Sequence, residues 1–285
     1  MTDGFHKTDI PRATAECHIE GDAMEQSMSA RQADGSAGDA NYGAIGTSYS
    51  VFRQPEPAIA ALINQALGRA RTVLNVGAGA GSYEPEDRVV TAVEPSASMR
   101  GQRPAHLAVA IDAMAEALPF GDASFDASMA TFTVHQWGKL EAGLGEMRRV
   151  TRGPVVILSC DPDLVERFWL NDYAPLVLST EARRYPSLGR MGAMLGGRVQ
   201  VVPMPIPLHC RDGFNEAYYG RPERLLDDKA RLSCSAWSFV DAATSQGYVD
   251  HLSRDLADGT WDARHGHLRT QPDFDGSLRL LVSTP

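Results

Sequence analysis

Short apolar runs rich in β-branched residues recur along the middle of the chain, separated by helix-length segments of mixed polarity. Runs of this length and composition favour buried strands over helices. They predict strands at residues 72–76, 89–93, 106–110, 126–131 and 154–159, and two further strands at 200–204 and 277–283. The alternation of strands and helices predicts a parallel sheet with helices on both faces.

Helical periodicity precedes the first of these strands. Apolar and aromatic residues three and four positions apart predict one helical face that ends before two prolines; they are Tyr42, Ile45, Tyr49 and Phe52. Residues 57–67 form a second amphipathic pattern, and Gly68 follows it where a left-handed cap is expected. Residues 1–40 show no sustained period, so we expect disorder there, or an arm that docks on a neighbouring subunit or closes over a pocket.

The first strand runs into a glycine-rich segment, and the second ends on an acidic residue. Gly77, Gly79 and Gly81 follow the first strand, and Glu94 follows the second. A glycine loop after a buried strand lets the backbone pass close to a bound nucleotide or nucleoside. An acid at the tip of the next strand can accept hydrogen bonds from ribose hydroxyls. The pattern predicts a nucleoside site, with a tight turn that binds no ligand as the alternative.

The glycine spacing separates two kinds of nucleotide site. Dinucleotide-binding folds have G-x-G-x-x-G, whereas this chain has G-x-G-x-G between Gly77 and Gly81. The spacing resembles motif I of the class I S-adenosylmethionine (SAM) methyltransferases. That family usually has an acidic residue two positions before the first glycine; this chain has Asn75, which can still hold loop backbone groups or a ligand.

Further motifs of the same family follow in the same order. Residues 115–126 resemble the AExLPFxDxSFD segment of small-molecule methyltransferases, although Met114 stands where many members have an aspartate. Residues 133–137 resemble the segment after the fourth strand of the family, and residues 146–150 resemble the helix that ends in RRV. The resemblance covers residues 42–161.

The resemblance implies a Rossmann-like α/β fold with a seven-stranded, mostly parallel sheet of order 3-2-1-4-5-7-6. The last two strands of such a sheet are antiparallel. It also implies three regions: an N-terminal segment at 1–40, a SAM-binding core at 41–160, and a region at 161–285 that completes the core and adds a helical lid over the substrate.

The resemblance also assigns residues to the cofactor. The loop, strand-tip and Ala-Glu positions are Asn75, Gly77, Ala78, Gly79, Glu94, Pro95, Ala115, Glu116 and Thr131. In related enzymes a Y…Y…R-x-P segment lies across the SAM pocket, which implies Tyr49 and Arg53 for the methionine carboxylate and Tyr42 for the substrate. With methionine in place of the aspartate, the adenine amino contact would come from Asp112, Glu116 or a main-chain carbonyl.

Residues 161–199 and 208–275 are longer than simple crossovers need, and they are rich in large aromatic side chains. They predict a mostly helical lid over the substrate pocket. Four aromatic residues near the strand ends are expected either to line that pocket or to form the lid's own core; they are Trp169, Tyr173, Tyr218 and Tyr219. Trp237 and Phe239 are expected in the lid's core.

Methyl transfer from a sulfonium is an in-line displacement, for which the protein mainly aligns donor and acceptor and excludes water. An oxygen or nitrogen acceptor can also need a base. His135, at the exit of the fourth strand, is the first candidate because a histidine pKa ordinarily lies at about 6.5. Asp161, at the end of the fifth strand, is the second. A carbon acceptor would instead generate a cation that aromatic faces stabilise, and no residue decides between these routes.

Composition and charge exclude several classes of function. The net charge of −9, of which −5 comes from eight acidic and three basic side chains in residues 1–40, argues against nucleic acid as a partner. The four cysteines form no C-x-x-C pair, which fits a reducing compartment and predicts no metal site. No apolar run approaches about 18 residues, so we expect a soluble, cytoplasmic protein without a membrane partner.

The function expected from the sequence is transfer of a methyl group from SAM to a small, largely apolar metabolite such as a natural product, at a carbon, oxygen or nitrogen atom. One alternative is a non-catalytic SAM- or nucleoside-binding protein with a degenerate site, which Asn75 and Met114 favour. The other is a nucleotide-binding oxidoreductase, which predicts affinity for NAD. A homo-oligomer could form through the N-terminal arm.

Overall fold

The structure of the protein is a computed structural model that describes Met1 and residues 49–285, with only the backbone at positions 49 and 50. The strands along the described chain are β1 (Thr72–Val76), β2 (Val89–Val93), β3 (Ala127–Thr131), β4 (Val155–Cys160), β5 (Arg198–Pro203), β6 (Ile206–Pro207), β7 (Asp273–Phe274) and β8 (Leu278–Thr284). Six of them form one sheet of order β2-β1-β3-β4-β8-β5, and β6 pairs with β7 in a separate two-stranded antiparallel sheet.

The central sheet is mostly parallel, as the sequence predicts. β1 pairs in parallel with β2 and β3, and β3 pairs in parallel with β4. β8 lies antiparallel between β4 and β5. The Rossmann-like α/β class and the antiparallel final pair are therefore confirmed, and the strands that form follow the predicted order.

The strand predicted at residues 106–110 does not form, so the part of the chain that the structure describes gives the sheet six strands instead of seven. In its place Ile111 makes a single parallel bridge with Val93. The Ile111 N–H donates to the carbonyl of Ala92 over 2.8 Å, and the Glu94 N–H donates to the carbonyl of Ile111 over 3.0 Å. Ala110 is buried but Val109 is 90% exposed, so only one side of this stretch is covered at the sheet edge, and it stays irregular.

Helices cover both faces of the sheet and build the cap above its end. In chain order they are α1 (Tyr49–Phe52), α2 (Pro57–Leu67), α3 (Ala97–Gly101), α4 (Leu140–Val150), α5 (Pro162–Val165), α6 (Pro175–Arg184), α7 (Leu188–Leu195), α8 (Asp228–Leu232), α9 (Ala242–Asp258) and α10 (Thr260–His265). No helix within the described ranges is both long and apolar enough to cross a bilayer.

The amphipathic pattern of α2 explains its place. Glu56 accepts a hydrogen bond from the N–H of Ala58 at the start of the helix. Gly68 ends the helix with a positive φ of +60°, but its ψ of −129° is not that of the left-handed cap that was expected. The stripe Ile59, Ile63 and Leu67 is fully buried against the β4 side of the sheet. The opposite face is covered by α4 and α7, whose buried side chains join a second apolar cluster.

The cap consists of residues that follow β4, and its core is aromatic. Trp169, Tyr173, Tyr219 and Trp261 pack together with almost no exposure. Trp237 is buried, as predicted. The prediction for Phe239 is wrong: its ring is 43% exposed and lies under a guanidinium group on the cap surface.

Candidate functional site

A cavity opens at the carboxyl ends of β1, β2 and β3, where ligands of parallel α/β sheets bind. Its volume is about 830 Å³ including the mouth. The predicted cofactor residues that line it are Arg53, Gly77, Ala78, Gly79, Glu94, Pro95, Ala115, Glu116 and Thr131. These positions are scattered over the sequence, and the sheet topology brings them to one mouth.

The glycine loop forms one wall of this first cavity. Gly77 and Gly79 have φ values of +68° and +53°, in the left-handed region that favours glycine. A Cβ atom on Gly77 would lie 2.1 Å from the Thr133 Oγ1 atom. The loop therefore needs glycine at position 77 both for its backbone conformation and for its close approach to the segment after β3.

Glu94 sits at the tip of β2 with its side chain turned toward the loop. Its Oε2 atom accepts from the Gly79 N–H over 2.8 Å, and its Oε1 atom accepts from the Ser96 N–H over 2.8 Å. Burial raises the pKa of this carboxyl, and the two backbone donors oppose the rise. Each carboxylate oxygen retains a further lone pair that can face the cavity.

Asn75 lies beneath the loop and does not line the first cavity. Its side chain is fully buried and its Nδ2 atom donates to Glu84 Oε1 over 3.0 Å. Arg103 donates to the other oxygen of Glu84 over 2.9 Å, and both side chains of this ion pair are almost completely buried. The cofactor contact predicted for Asn75 is therefore not found, and its side-chain amide contacts the Glu84 carboxylate instead of a loop backbone group. Glu84 and Arg103 were not predicted from the sequence, because no local motif marks a buried ion pair that forms across a loop.

Glu116 faces the first cavity from the Ala-Glu segment. Its Oε1 atom accepts from the Lys139 N–H over 3.0 Å. Its Oε2 atom is buried and has no hydrogen-bond partner among the described residues. Asp112, the alternative adenine contact, does not line the cavity, and it pairs with Arg100 on the surface over 3.4 Å. Glu116 is therefore the better placed of the two carboxylates.

Arg53 joins the core to the cap at the edge of the first cavity. Its Nε atom lies 2.5 Å from Asp212 Oδ1, and its guanidinium carbon lies 4.9 Å from the centre of the Phe132 ring. The Tyr83 hydroxyl donates to the other oxygen of Asp212 over 2.8 Å. Asp212 and Tyr83 also line the cavity, and neither was predicted. Asp212 stands more than a hundred positions from both Arg53 and Tyr83 in the sequence, so no local pattern marks these contacts.

A second, smaller cavity, of about 440 Å³ including its mouth, lies between the sheet end and the cap. It shares Arg53 and Phe132 with the first cavity. Phe132 follows β3 with a φ of +52°, which is rare for a residue with a bulky side chain. The other residues of its wall are His135, Glu181, Arg184, Tyr185, Phe214, Ser233, Cys234, Ser235 and Ala236.

His135 lies in the wall of the second cavity, in the 3-10 helix Val134–Gln136. Its ring is tilted against Tyr185, with centroids 4.6 Å apart. Burial, reinforced by the positive charges of Arg184 and Arg53, lowers the pKa of His135 to about 3. The imidazole is therefore neutral at physiological pH.

Asp161, the second candidate base, lies in neither cavity wall. Its carboxylate instead caps the start of α5 by accepting from the Asp163 N–H over 3.2 Å. A sequence position at the end of a strand did not distinguish a capping carboxylate from a catalytic one.

The expectation that four aromatic residues line the substrate pocket is corrected by their contacts. Trp169 Nε1 donates to the carbonyl of Tyr219 over 2.9 Å, and the Tyr219 hydroxyl donates to the carbonyl of Gln271 over 2.6 Å. The Tyr173 hydroxyl donates to Asp255 over 2.8 Å. These residues and the buried Tyr218 line neither cavity. They hold the cap together, which was the other role expected for them.

Two predicted contacts fall outside what the structure describes. Tyr42, expected at the substrate, lies outside the described residues, as do residues 2–40 of the N-terminal segment. Tyr49, expected at the methionine carboxylate, begins α1, but its side chain is not among those described. Both assignments stay predictions.

Comparison with known proteins shows which proteins the core of the chain resembles. Residues 74–157 match the family described as a methyltransferase domain. The chain is similar to a putative methyltransferase from an antibiotic biosynthesis pathway of Anabaena variabilis, with 29% identity over 83% of this chain and 100% of that one and a TM-score of 0.77. No curated protein matches the sequence.

A more distant structure shares the fold alone. The phosphoethanolamine N-methyltransferase 2 of Haemonchus contortus, in complex with S-adenosyl-L-methionine, has a TM-score of 0.50. The identity is 15%, over 86% of this chain and 57% of that one.

Proposed function

We propose that this chain, which has the fold of the class I SAM-dependent methyltransferases and carries a methyltransferase domain over residues 74–157, transfers a methyl group from SAM to a small molecule. The observation that carries the proposal is the cavity beside the glycine loop and Glu94, next to a second cavity that shares Arg53 and Phe132 in its wall. In this proposal the cofactor binds in the first cavity, and the methyl acceptor binds in the second, beneath the cap.

The residues of the first cavity fit the nucleoside part of SAM. Gly77 and Gly79 bring bare backbone to the wall, and the free lone pairs of Glu94 can accept hydrogen bonds from the ribose hydroxyls. The unpartnered Oε2 atom of Glu116 can accept a hydrogen bond from the adenine amino group. Arg53, fixed by Asp212, supplies a cation for the methionine carboxylate.

When bound, SAM supplies a methyl group on a positively charged sulfur atom. The protein has to hold the acceptor in line with that group and keep water out. Phe132 forms part of both cavity walls, and its ring contacts Phe214 of the cap at a centroid distance of 5.4 Å. This contact and the Arg53–Asp212 pair position the cap over the place where donor and acceptor meet.

His135 is proposed as the proton acceptor for a hydroxyl or amine acceptor. It faces the second cavity, and its depressed pKa keeps the ring neutral and able to accept a proton. The same low pKa makes it a weak base, so a bound acceptor has to raise the pKa of His135 as the proton moves. Asp161 has no place in the proposal, because its carboxylate caps α5.

The aromatic part of the second cavity favours a ring-bearing acceptor. Phe132, Tyr185 and Phe214 give it three aromatic walls, as expected for a largely apolar metabolite. The similarity to a putative methyltransferase from an antibiotic biosynthesis pathway supports a natural product as the acceptor.

Methyl transfer can be tested with SAM that carries a radiolabelled methyl group. The protein is incubated with this donor and a small-molecule extract, and the expected result is label in an extract component. The matched control is Glu94→Gln, which should label more slowly at low donor concentration. Calorimetry with S-adenosylhomocysteine and with NAD completes the test. Tight binding of S-adenosylhomocysteine without any labelling would indicate a non-catalytic binding protein, and binding of NAD would indicate an oxidoreductase.

A further inference from the structure

Asp212 brings a buried carboxylate from the cap to the wall of the first cavity. Its side chain is only 3% exposed. Its Oδ1 atom pairs with the Nε atom of Arg53 over 2.5 Å, and its Oδ2 atom accepts from the Tyr83 hydroxyl over 2.8 Å. Each oxygen atom of a carboxylate has two lone pairs, so Asp212 can accept further hydrogen bonds from a ligand in the cavity.

The backbone around Asp212 is held in place by the segment that precedes α2. On one side of Asp212, the Arg211 N–H donates to Glu56 Oε2 over 2.9 Å. On the other side, the Gly213 N–H donates to the carbonyl of Phe52 over 2.8 Å. The carboxylate is therefore positioned before any ligand binds, which lowers the entropy cost of binding.

Among the described residues, three carboxylates line the first cavity: Glu94, Glu116 and Asp212. The proposed function assigns Glu94 to the ribose hydroxyls and Glu116 to the adenine amino group. Asp212 is the carboxylate that stands beside Arg53, the residue assigned to the methionine carboxylate. It is therefore the acid placed to meet the amino-acid part of the cofactor.

The amino-acid part of SAM carries a positive α-ammonium group and a negative α-carboxylate group on the same carbon atom. Both groups are ionised at about pH 7. The wall of the first cavity presents a carboxylate and a guanidinium group side by side, at Asp212 and Arg53. Two adjacent protein charges of opposite sign match the two adjacent charges of the ligand, and each contact is a charge-assisted hydrogen bond.

We propose that Asp212 binds the α-ammonium group of SAM, beside the α-carboxylate on Arg53. This rests on the proposed function and adds a cofactor-binding residue that the cap contributes. Asp212 then has two roles, because it fixes the Arg53 side chain and also contacts the cofactor itself. The cofactor site is consequently complete only when the cap is folded over the sheet.

Ligands that lack one group of the amino-acid part test the proposal on the wild-type protein. The three ligands are S-adenosylhomocysteine, its deamino analogue without the α-amino group, and 5′-methylthioadenosine, which has neither the amino nor the carboxylate group. Calorimetry should show that the deamino analogue binds about 10- to 100-fold more weakly than S-adenosylhomocysteine, as expected for loss of a hydrogen bond between charged groups. Equal affinity for these two ligands would overturn the inference and leave the proposed function standing. No binding of any of the three would overturn both.

Asp212→Asn tests the residue with the same three ligands. The preference for S-adenosylhomocysteine over the deamino analogue should fall from about 10- to 100-fold to about onefold. Affinity for 5′-methylthioadenosine should be unchanged, which shows that the nucleoside site is folded. Asp163→Asn, at an exposed carboxylate in α5, is the control and should keep the wild-type preference. If Asp212 acts only by fixing Arg53, Asp212→Asn weakens both amino-acid ligands by the same factor, and that result would overturn the direct contact.

Discussion

The backbone N–H of Gly79 donates to the Oε2 atom of Glu94 over 2.8 Å. The carboxylate at the tip of β2 therefore holds the glycine loop in place as well as facing the ligand cavity. Fifteen positions separate the two residues in the sequence, and the parallel pairing of β1 with β2 brings them together. In the proposed function, loop shape and nucleoside recognition consequently depend on one side chain.

Replacing Glu94 should weaken cofactor binding. Glu94→Gln should reduce the affinity for S-adenosylhomocysteine by roughly 1.5–3 kcal/mol, because an amide accepts fewer hydrogen bonds than a carboxylate and carries no charge. Glu94→Ala should reduce it at least as much, since the Gly79 N–H also loses its acceptor. Calorimetry measures both affinities. Glu141→Gln, on the exposed side of α4, is the control. Wild-type affinity in a folded Glu94→Ala protein would exclude Glu94 from the site.

Adding one methyl group at position 77 should destabilise the protein. Gly77→Ala forces a residue with a side chain to a φ of +68° and places its Cβ against Thr133. The free energy of unfolding should fall by about 1–3 kcal/mol, and cofactor affinity should fall with it. The control is Gly145→Ala in α4, where no atom lies within 4 Å of the added Cβ. Urea denaturation compares the two. Equal stability in both variants would contradict the proposed close approach of the loop.

Replacing one member of the buried ion pair Glu84–Arg103 should lower the free energy of unfolding more than replacing both members. Arg103→Met leaves a buried carboxylate without its cation and should cost about 3–5 kcal/mol of unfolding free energy. The double variant Glu84→Gln, Arg103→Met should recover part of that loss, because no uncompensated charge remains. Denaturant unfolding of Glu84→Gln, of Arg103→Met and of the double variant gives the coupling energy between the two side chains. A double variant with the summed loss of its singles would show that the two side chains do not interact.

His135 should contribute to catalysis without titrating in the usual histidine range. His135→Ala should lower turnover by about 100-fold or more, with the affinity for S-adenosylhomocysteine little changed. Because the pKa of His135 is about 3, the turnover of the wild-type protein should show no break from this group near a pH of about 6.5. Turnover of labelled donor over a range of pH checks both points. Wild-type turnover in the alanine variant would reject the role.

The same depressed pKa should make His135 a source of acid sensitivity. In the unfolded chain a histidine binds its proton below a pH of about 6.5, whereas the folded protein binds it only near 3. Stability should therefore fall as the pH drops from about 6.5 toward 3. Between about pH 7 and pH 5, the wild-type protein should lose up to about 1–2 kcal/mol more than His135→Gln does.

Urea denaturation at both pH values measures this difference. Replacement of the exposed His106 by Gln is the control and should follow the wild type. A His135→Gln variant with the same acid sensitivity as the wild type would show that the ring is protonated in the folded state.

Sequence periodicity was sufficient to predict where the elements that pack on both sides begin and end. β1 and β2 begin and end where their apolar runs do, and α2 spans the predicted residues 57–67. The prediction failed at residues 106–110, where the run is as apolar as the others but lies at the sheet edge. Apolar content predicts a strand only where a neighbouring layer covers both faces, and a single sequence does not reveal which strand is at the edge.

The chain's local sequence determined the glycine loop, the acid at the tip of β2 and the bounds of β1 and β2, because each depends on residues within a few positions of one another. The order of the strands in the sheet came from the family resemblance. It did not determine which aromatic side chains face a ligand. Trp169 and Tyr219 point into the cap because their polar atoms find backbone and carbonyl partners there, far away in sequence. Arg53, Asp212 and Tyr83 likewise acquire their roles only when the cap folds over the sheet. Local patterns fix backbone conformation, whereas charge pairing and burial depend on contacts between distant segments, which only the tertiary structure brings together.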